Sequence, residues 1–397
     1  LVTVSSHHAN LMGLLLVLLF SFLCAFCKAS PTRLLINGST ILSPEGAPIT
    51  LKGFNWYLPL VDDDDGDLMS GLLPGTNLVR LVGVFWDNFV GAESQTDCRT
   101  DDASTGFIKD SCVQDLEKAV RTATAAGLWV IITGSAKYAA GQDNLHSNVF
   151  HNDTLKSQYF AMWAYLAAHF SRFDNIAAYE IMSEPRVQTT PDSVVAGFMA
   201  GGCKAVHSVD PVTPCMVGPA PFYKAWKLSS TYIMTDQPNT IYTYDFLEPD
   251  PFVHESFHGT MEWGGSYACN VVYKGWTEIF CPKNASQLVT IDREWLTILI
   301  KDFVVALRDR FNVPVLANQF GIKRAVGDGN GRWRYLSDVL SVFHETGMHA
   351  AYWLWKWEGK ADGSDHWGGF ELIHKWANGT VDQDMETLKL FNSSWKR

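Results

Sequence analysis

Two strand-like segments of this chain end in polar residues whose types could do chemistry. The segment 177–186, Ala-Ala-Tyr-Glu-Ile-Met-Ser-Glu-Pro-Arg, is largely apolar and leads to Glu184. The segment 313–322, Val-Pro-Val-Leu-Ala-Asn-Gln-Phe-Gly-Ile, has the same form, and Gln319 holds the comparable place. A carboxyl group can serve as acid, base or nucleophile, and paired carboxyl groups divide these roles between two residues. An amide fills none of them, so the pattern indicates a carboxyl pair that has lost one member.

Eight short β-rich runs alternate with amphipathic stretches and would position these residues. Among the stretches between them, 113–120, 155–170 and 296–307 follow the 3.6-residue period, and two further helices are predicted at 193–207 and 333–345. Strands interleaved with helices predict parallel pairing and an α/β fold, a single (β/α)8 TIM barrel with long βα loops that wall a cleft. An open, doubly wound sheet is the alternative, but no Gly-rich nucleotide-binding sequence follows the first strand. The predicted strands are Ile49–Trp56, Asn77–Phe85, Leu128–Thr133, Ile176–Ser183, Cys215–Pro219, Thr240–Phe246, Val313–Phe320 and Ala350–Trp357.

Composition limits the classes of partner. The chain has 397 residues, 47% of them hydrophobic, which is enough for one barrel domain with a large core. Its formal net charge is −11, without clusters of Lys or Arg, so nucleic acid and anionic membranes are excluded as expected partners. The 15 Trp are many for this length, and aromatic rings stack well on sugar faces.

The first 29 residues have the features of a secretory signal peptide. Leu11 to Phe26 form an apolar run that is short for a membrane span and suits a signal core, and small residues follow at Ala29 and Ser30. We expect cleavage after Ala29, a secreted domain at 30–397 and no membrane association afterwards. Met12 is a candidate start, with translated upstream residues before it. An uncleaved anchor is the alternative, because no Lys or Arg precedes the run.

Cysteines and glycosylation sequons agree with the secretory route. Setting aside Cys24 and Cys27 in the signal core, six cysteines remain as close couples, and neighbour pairing is the simplest of the possible connectivities. The predicted disulfides are Cys98–Cys112, Cys203–Cys215 and Cys269–Cys281. The predicted glycosylation sites are Asn37, Asn152, Asn284, Asn378 and Asn392, each in an Asn-x-Ser/Thr sequon.

Six short motifs in order carry a family resemblance. They are Leu-Lys-Gly-Phe-Asn-Trp at 51–56, Asn-Leu-Val-Arg-Leu at 77–81, Tyr-Glu-Ile-Met-Ser-Glu-Pro at 179–185, Ile-Tyr-Thr-Tyr-Asp-Phe-Leu-Glu-Pro at 241–249, Asn-Gln-Phe-Gly at 318–321 and Tyr-Trp-Leu-Trp at 352–355. Over about residues 35–390 the chain resembles glycoside hydrolase family 5, the cellulase and mannanase family of retaining (β/α)8 enzymes. The resemblance implies a cleft that binds β-glucan or mannan and needs no cofactor or metal.

Several site residues follow from the resemblance. Glu184 matches the acid/base residue and Arg80 the strand-2 arginine that would hold the charge of the nucleophile. Ser183 stands where the family has an Asn that grips a sugar hydroxyl. Trp355 would lie beneath the sugar at the cleavage point. In the loop after the last strand, Trp367 is a further candidate for sugar stacking.

Other positions depart from the family pattern. Gln319 replaces the nucleophilic glutamate, and on strand 6 the family's His-x-Tyr pair becomes Asp245 and Leu247. The strand-3 histidine is also missing from 129–135. Loss of these functions together predicts that ordinary retaining hydrolysis is strongly impaired, so the chain is interpreted as a carbohydrate-binding pseudoenzyme.

Two routes to an active glycosidase or transglycosidase stay open. Asp245 could replace the nucleophile, or act as base for an inverting attack, which needs carboxyl groups about 6.5–9.5 Å apart. Alternatively, the substrate could bring its own nucleophile, an N-acetyl group steadied by the Gln319 amide. The simplest structural interpretation of Asp245 is a partner for Arg80 or for a loop lysine. The acidic run 62–67 is read as a solvated loop rather than a calcium site, because its glycine and closing Glu are misplaced.

Overall fold

Eight parallel strands form a closed barrel in the computed structural model, which describes residues 33–86, 98–136, 149–254, 261–358, 369–376 and 378–395. We number them β1 (Lys52–Tyr57), β2 (Leu78–Phe85), β3 (Trp129–Ser135), β4 (Ile176–Glu180), β5 (Cys215–Val217), β6 (Thr240–Phe246), β7 (Val315–Phe320) and β8 (His349–Tyr352). Each strand pairs with the next one in the chain, and β8 pairs with β1. The predicted (β/α)8 barrel is confirmed. The predicted signal peptide at 1–29 and Trp367 lie outside the described residues.

The helices that were predicted from periodicity are present. Asn152 caps the one after β3 by accepting hydrogen bonds from the backbone N–H groups of Thr154 and Leu155. The α-helices are Asp65–Leu72, Asp110–Ala125, Asp153–Phe170, Asp192–His207, Asp250–Val253, Cys269–Val272, Thr277–Phe280, Arg293–Leu299, Ala306–Phe311, Arg332–Thr346 and Met385–Trp395. A π-helical segment, Ile300–Val305, joins two of them. Short 3-10 turns span Leu58–Leu60, Ala103–Thr105, Ala225–Lys227, Ser230–Tyr232 and Arg324–Val326. None of the helices in the described part of the chain has the length and hydrophobicity to span a bilayer.

Three smaller sheets accompany the barrel. An N-terminal hairpin pairs Leu35–Asn37 with Thr40–Leu42, and its neighbour Leu34 and its own Ile41 join a buried cluster with residues of the barrel strands. The hairpin therefore packs onto the barrel core. Another antiparallel pair, Ser266–Ala268 with Leu288–Thr290, lies in the long segment after β6. The third sheet contains Lys356–Glu358, Ile373–Lys375 and Val381–Gln383.

The last predicted strand was too long. We expected Ala350–Trp357 to run as one strand with alternating aromatic residues, but β8 ends at Tyr352. The chain then pairs again only from Lys356, in the separate three-stranded sheet. The continuous run of β-favouring residues hides this break, since β propensity does not distinguish one strand from two short ones.

All three neighbour disulfides are present. Their Cα–Cα distances are 5.8 Å for Cys98–Cys112, 5.6 Å for Cys203–Cys215 and 6.0 Å for Cys269–Cys281. The second joins the helix Asp192–His207 to β5. The third closes a loop within the segment between the two strands of the antiparallel pair after β6.

Candidate active site

Three barrel strands bring Glu184, Asp245 and Gln319 together. Asp245 and Gln319 are register partners on the neighbouring strands β6 and β7, and both side chains are buried. Glu184 follows four residues after the end of β4 and is partly exposed. The carboxyl ends of the strands form the active-site face of a (β/α)8 barrel, so the three side chains meet where catalysis takes place in this fold.

Gln319 and Glu184 are in direct contact. The Gln319 Nε2 amide donates a hydrogen bond of 2.6 Å to Glu184 Oε1. Two carboxylates would repel each other at this distance, whereas an amide donor is attracted to a carboxylate. The carboxyl groups of a retaining glycosidase stand about 5–5.5 Å apart to accommodate the sugar carbon between them. The Gln319 amide and the Glu184 carboxyl group are therefore in direct contact, with no gap of that width between them.

Asp245 is hydrogen-bonded to the same carboxyl group. It is 5% exposed, and its pKa lies well above the ordinary value because burial disfavours the charge and because Glu184 is a hydrogen-bonded, negatively charged neighbour. The inverting arrangement considered for Asp245 needs a gap wide enough for water between the two carboxyl groups, and it stays a prediction. Within the described residues, Asp245 Oδ1 is buried and accepts no hydrogen bond.

Arg80 forms its hydrogen bonds inside the barrel, with residues of the neighbouring strands. It is fully buried, and its guanidinium donates to both oxygens of Glu180 at 2.6 and 2.8 Å and to Asn55 Oδ1 at 2.7 Å. Glu180 accepts two further hydrogen bonds, from Thr133 at 2.9 Å and Asn318 at 3.1 Å. The charge of Glu180 and its hydrogen bonds raise the pKa of Arg80, although burial alone would lower it. The assignment of Arg80 to substrate binding and to the charge at residue 319 is therefore corrected, since its charge is neutralised by Glu180.

The role of Glu180 was not predicted from the sequence, although the sequence contains a signal for it. Arg80 and Glu180 are charged residues inside otherwise apolar strands, and a buried charge needs a partner of opposite sign. Two such residues in one barrel predict each other. Asp245 was interpreted as a partner for Arg80 or a loop lysine. Glu180 takes the hydrogen bonds of Arg80, and Asp245 interacts with Arg80 and Lys224 through their charges.

Ser183 connects the buried network to the site. Its hydroxyl accepts a hydrogen bond of 2.8 Å from Arg80, and the side chain is 5% exposed. The next residue, Glu184, has a φ of 40°, in the left-handed region that non-glycine residues rarely adopt. Such backbone strain is characteristic of functional sites, where the surrounding structure holds a side chain in a required direction.

The proposed sugar platform is not at Trp355. This ring is 1% exposed, and its indole N–H donates to Asp65 Oδ1 at 3.1 Å. A buried ring offers no face to a sugar, so that expectation is corrected. The acidic run at 62–67 is also less solvated than expected, because Asp65 is buried and pairs with Lys356 at 2.6 Å, which also pairs with Asp62 at 2.8 Å.

The rim beside Asp245 contains a buried ion pair and aromatic residues. Lys224 forms a backbone bridge with Asp245, and its ammonium pairs with Glu248. Burial opposes the charge of Lys224, but the Glu248 carboxylate nevertheless raises the pKa of the lysine. The same ammonium lies 5.4 Å from the centre of the Trp226 ring, and Trp276 meets that ring edge-on at 5.3 Å. This rim thus combines a paired lysine with aromatic rings.

The described residues contain no group of three or more His, Cys, Asp or Glu side chains that could hold a metal ion. Of the five sequon asparagines, Asn37, Asn152, Asn284 and Asn378 are exposed, whereas Asn392 is partly buried on the last helix. Four of the five predicted glycosylation sites are thus accessible in the folded chain.

The fold and site define a class, a (β/α)8 barrel with carboxyl and amide side chains gathered at the carboxyl ends of its strands. The cellulase model, glycosyl hydrolase family 5, matches residues 42–359, and the chain belongs to this family. No curated protein matches the chain. Among solved structures, endoglucanase Cel5A from Thermotoga maritima is similar at 16% identity and a TM-score of 0.63, covering 86% of this chain and 96% of that one.

Two further solved structures resemble the chain. Thermotoga maritima Cel5A in complex with mannotriose gives 15% identity and a TM-score of 0.62, over 86% of this chain and 97% of that one. The cellulose synthase subunit Z from Clostridioides difficile gives 16% identity and a TM-score of 0.60, over 86% and 99%. At these identities the likeness establishes the shared barrel.

Proposed function

We infer that this protein is a secreted, N-glycosylated member of glycosyl hydrolase family 5 that binds β-linked polysaccharide, a glucan or a mannan, and has lost retaining hydrolysis by a protein nucleophile. Family membership supports a glycan as ligand, and a structural relative has been solved with mannotriose. The observation that carries the loss of hydrolysis is the 2.6 Å hydrogen bond from the Gln319 amide to Glu184.

The expected loss of rate is large. Removing a covalent nucleophile lowers the rate by a factor on the order of 10⁴–10⁶, or roughly 5–8 kcal/mol of barrier. Here the loss is compounded, because the arginine that would support the nucleophile pairs with Glu180. A sugar can still enter from the open side of the strand ends, since Glu184 is partly exposed.

A second candidate function is hydrolysis by Glu184 with another group as the attacking partner. Burial and the nearby Glu184 carboxylate raise the pKa of Asp245, and this argues against Asp245 as an ionised nucleophile or base. The substrate is then the remaining source of a nucleophile.

Binding and turnover can be measured separately. The purified protein is titrated by calorimetry with cellohexaose and mannohexaose, and the same mixtures are analysed for products by chromatography. We expect binding without products. Glu184→Ala is the test variant, and Glu386→Ala, an exposed glutamate on the last helix, is the matched control. Products that disappear in Glu184→Ala but persist in Glu386→Ala would overturn the loss of hydrolysis; absence of binding to every glycan would overturn glycan recognition.

Secretion has its own test. Expression in a eukaryotic secretory host should release a protein whose N-terminus is Ser30 and whose mass falls on treatment with an N-glycosidase. A protein retained in the membrane fraction with residues 1–29 attached would identify the uncleaved anchor instead.

A further inference from the structure

The described residues of the site provide a carboxyl group at Glu184, a second, buried one at Asp245 and an amide at Gln319, and none of these is a favourable attacking group. Gln319 blocks every route in which the protein attacks the sugar at that position. It does not block a route in which the substrate attacks itself, as glycosidases acting on 2-acetamido sugars do. The polar groups around Glu184 therefore decide whether the site suits such a sugar.

We propose that the cleft recognises and cleaves β-linked glycans that carry a 2-acetamido group, with the acetamido oxygen as nucleophile, Glu184 as acid/base, and Asp245 and Gln319 as the two partners of the acetamido group. The inference rests on the proposed function, because the same cleft must bind a β-linked glycan.

The two partners have the polarity that an acetamido group requires. An acetamido group presents one N–H donor and one carbonyl acceptor. Asp245 Oδ1 is a buried acceptor that receives no donor within the described residues, and Gln319 Nε2 is a donor. The two residues are register partners on adjacent strands, and both contact Glu184, so one small group can meet both of them beside the acid.

Entry of the sugar exchanges one hydrogen bond for another. The Gln319 N–H now directed at Glu184 Oε1 moves to the acetamido carbonyl, which frees Glu184 to face the glycosidic oxygen. The acetamido N–H donates to Asp245. That contact stabilises the ionised form of Asp245, so a proton held on Asp245 passes to the neighbouring Glu184 carboxyl group.

The proposed cleavage proceeds in two steps. The acetamido oxygen forms a bond to the anomeric carbon as the bond to the leaving oxygen breaks, and Glu184 gives its proton to that oxygen. The resulting oxazolinium cation is paired with the Asp245 carboxylate. Water then attacks the anomeric carbon, Glu184 takes one of its protons, and the bond to the acetamido oxygen breaks, which restores the N-acetyl sugar with its original anomeric configuration.

Four probes test the proposal: the N-acetylglucosamine hexamer, its fully deacetylated form, cellohexaose, and the bicyclic thiazoline made from N-acetylglucosamine, a stable mimic of the oxazolinium. We expect cleavage of the N-acetylated hexamer alone and binding of the thiazoline in calorimetry. Asp245→Asn should lower turnover by a factor on the order of 10²–10⁴, since it removes the proton and the charge that the step uses. It should also weaken binding of the thiazoline, because the mimic loses its partner at residue 245.

The outcomes separate the two conclusions. Binding of cellohexaose without binding of the thiazoline or the N-acetylated hexamer overturns this inference and leaves the proposed glycan recognition intact. Binding of the N-acetylated hexamer without cleavage overturns the catalytic step. Absence of binding to all four probes overturns the proposed function as well. Asp236→Asn, a surface aspartate that pairs with Lys204, is the control for the substitution itself.

Discussion

Gln319→Glu would place a carboxyl group 2.6 Å from Glu184 Oε1, in a site that already holds the buried carboxyl group of Asp245. The substitution keeps size and shape, so its main effect is electrostatic. Two unit charges that relax to about 4 Å apart repel by ~4 kcal/mol at an effective dielectric constant of about 20. Among the described residues, Arg80 is already paired with Glu180 and Lys224 with Glu248, so neither is free to relieve the repulsion.

The sign of the pH dependence follows from this repulsion. Burial and like charge raise the pKa of the introduced carboxyl group in the folded state above its unfolded value of about 4.3. Below that unfolded pKa both states are protonated, and the variant should match the wild type. Above it, the variant should lose about 1.4 kcal/mol of stability per pH unit until the raised pKa is reached. A total of ~4 kcal/mol therefore accumulates over about three pH units, from about pH 4 to about pH 7.

The measurement is urea unfolding of both proteins, followed by circular dichroism, at several pH values across that range. The difference between variant and wild type removes the contribution of other titrating groups. Gln158→Glu is the matched control, because Gln158 lies 3.0 Å from the Arg99 guanidinium, where a new carboxylate should be neutral or slightly stabilising. A Gln319→Glu difference that does not change with pH would refute the reasoning. We also expect little recovery of hydrolysis, since the arginine partner and the strand-6 residues remain altered.

Other perturbations test the remaining features. Arg80→Met should destabilise the protein by roughly 3–5 kcal/mol in urea unfolding by leaving Glu180 as an unpaired buried charge. Adding Glu180→Met should recover much of that loss, and equal losses in the single and double variants would refute the pairing. Asp245→Asn should stabilise the protein at neutral pH. A carboxyl group whose pKa is raised in the folded state makes the folded protein less stable as pH rises from its unfolded to its folded pKa, by about 1.4 kcal/mol per pH unit. Equal stability of variant and wild type at neutral pH would contradict the raised pKa. Replacing Cys269 and Cys281 by serine should lower the free energy of unfolding by about 3 kcal/mol and speed proteolysis between the two positions. Unchanged proteolysis would show that this disulfide has no local stabilising effect.

The sequence predicted the barrel because the signals that define it are local and repeated. Each strand was recognisable from its own apolar, β-branched residues, and each helix from its own period, and parallel closure follows from their alternation. The disulfides were predictable for a similar reason, since each joins close neighbours along the chain. The break after Tyr352 was not, because no local residue signals the end of pairing there.

The residue types at the strand ends could also be identified from the sequence, including the amide of Gln319 and the carboxyl groups of Glu184 and Asp245. Their chemistry depends on distances between strands, which the sequence does not contain. Only the tertiary structure shows that Gln319 donates a hydrogen bond to Glu184, that burial and Glu184 raise the pKa of Asp245, and that Arg80 is neutralised by Glu180. Side-chain identity is a property of one position, whereas a hydrogen bond, a shifted pKa or a buried ring is a property of several strands packed together.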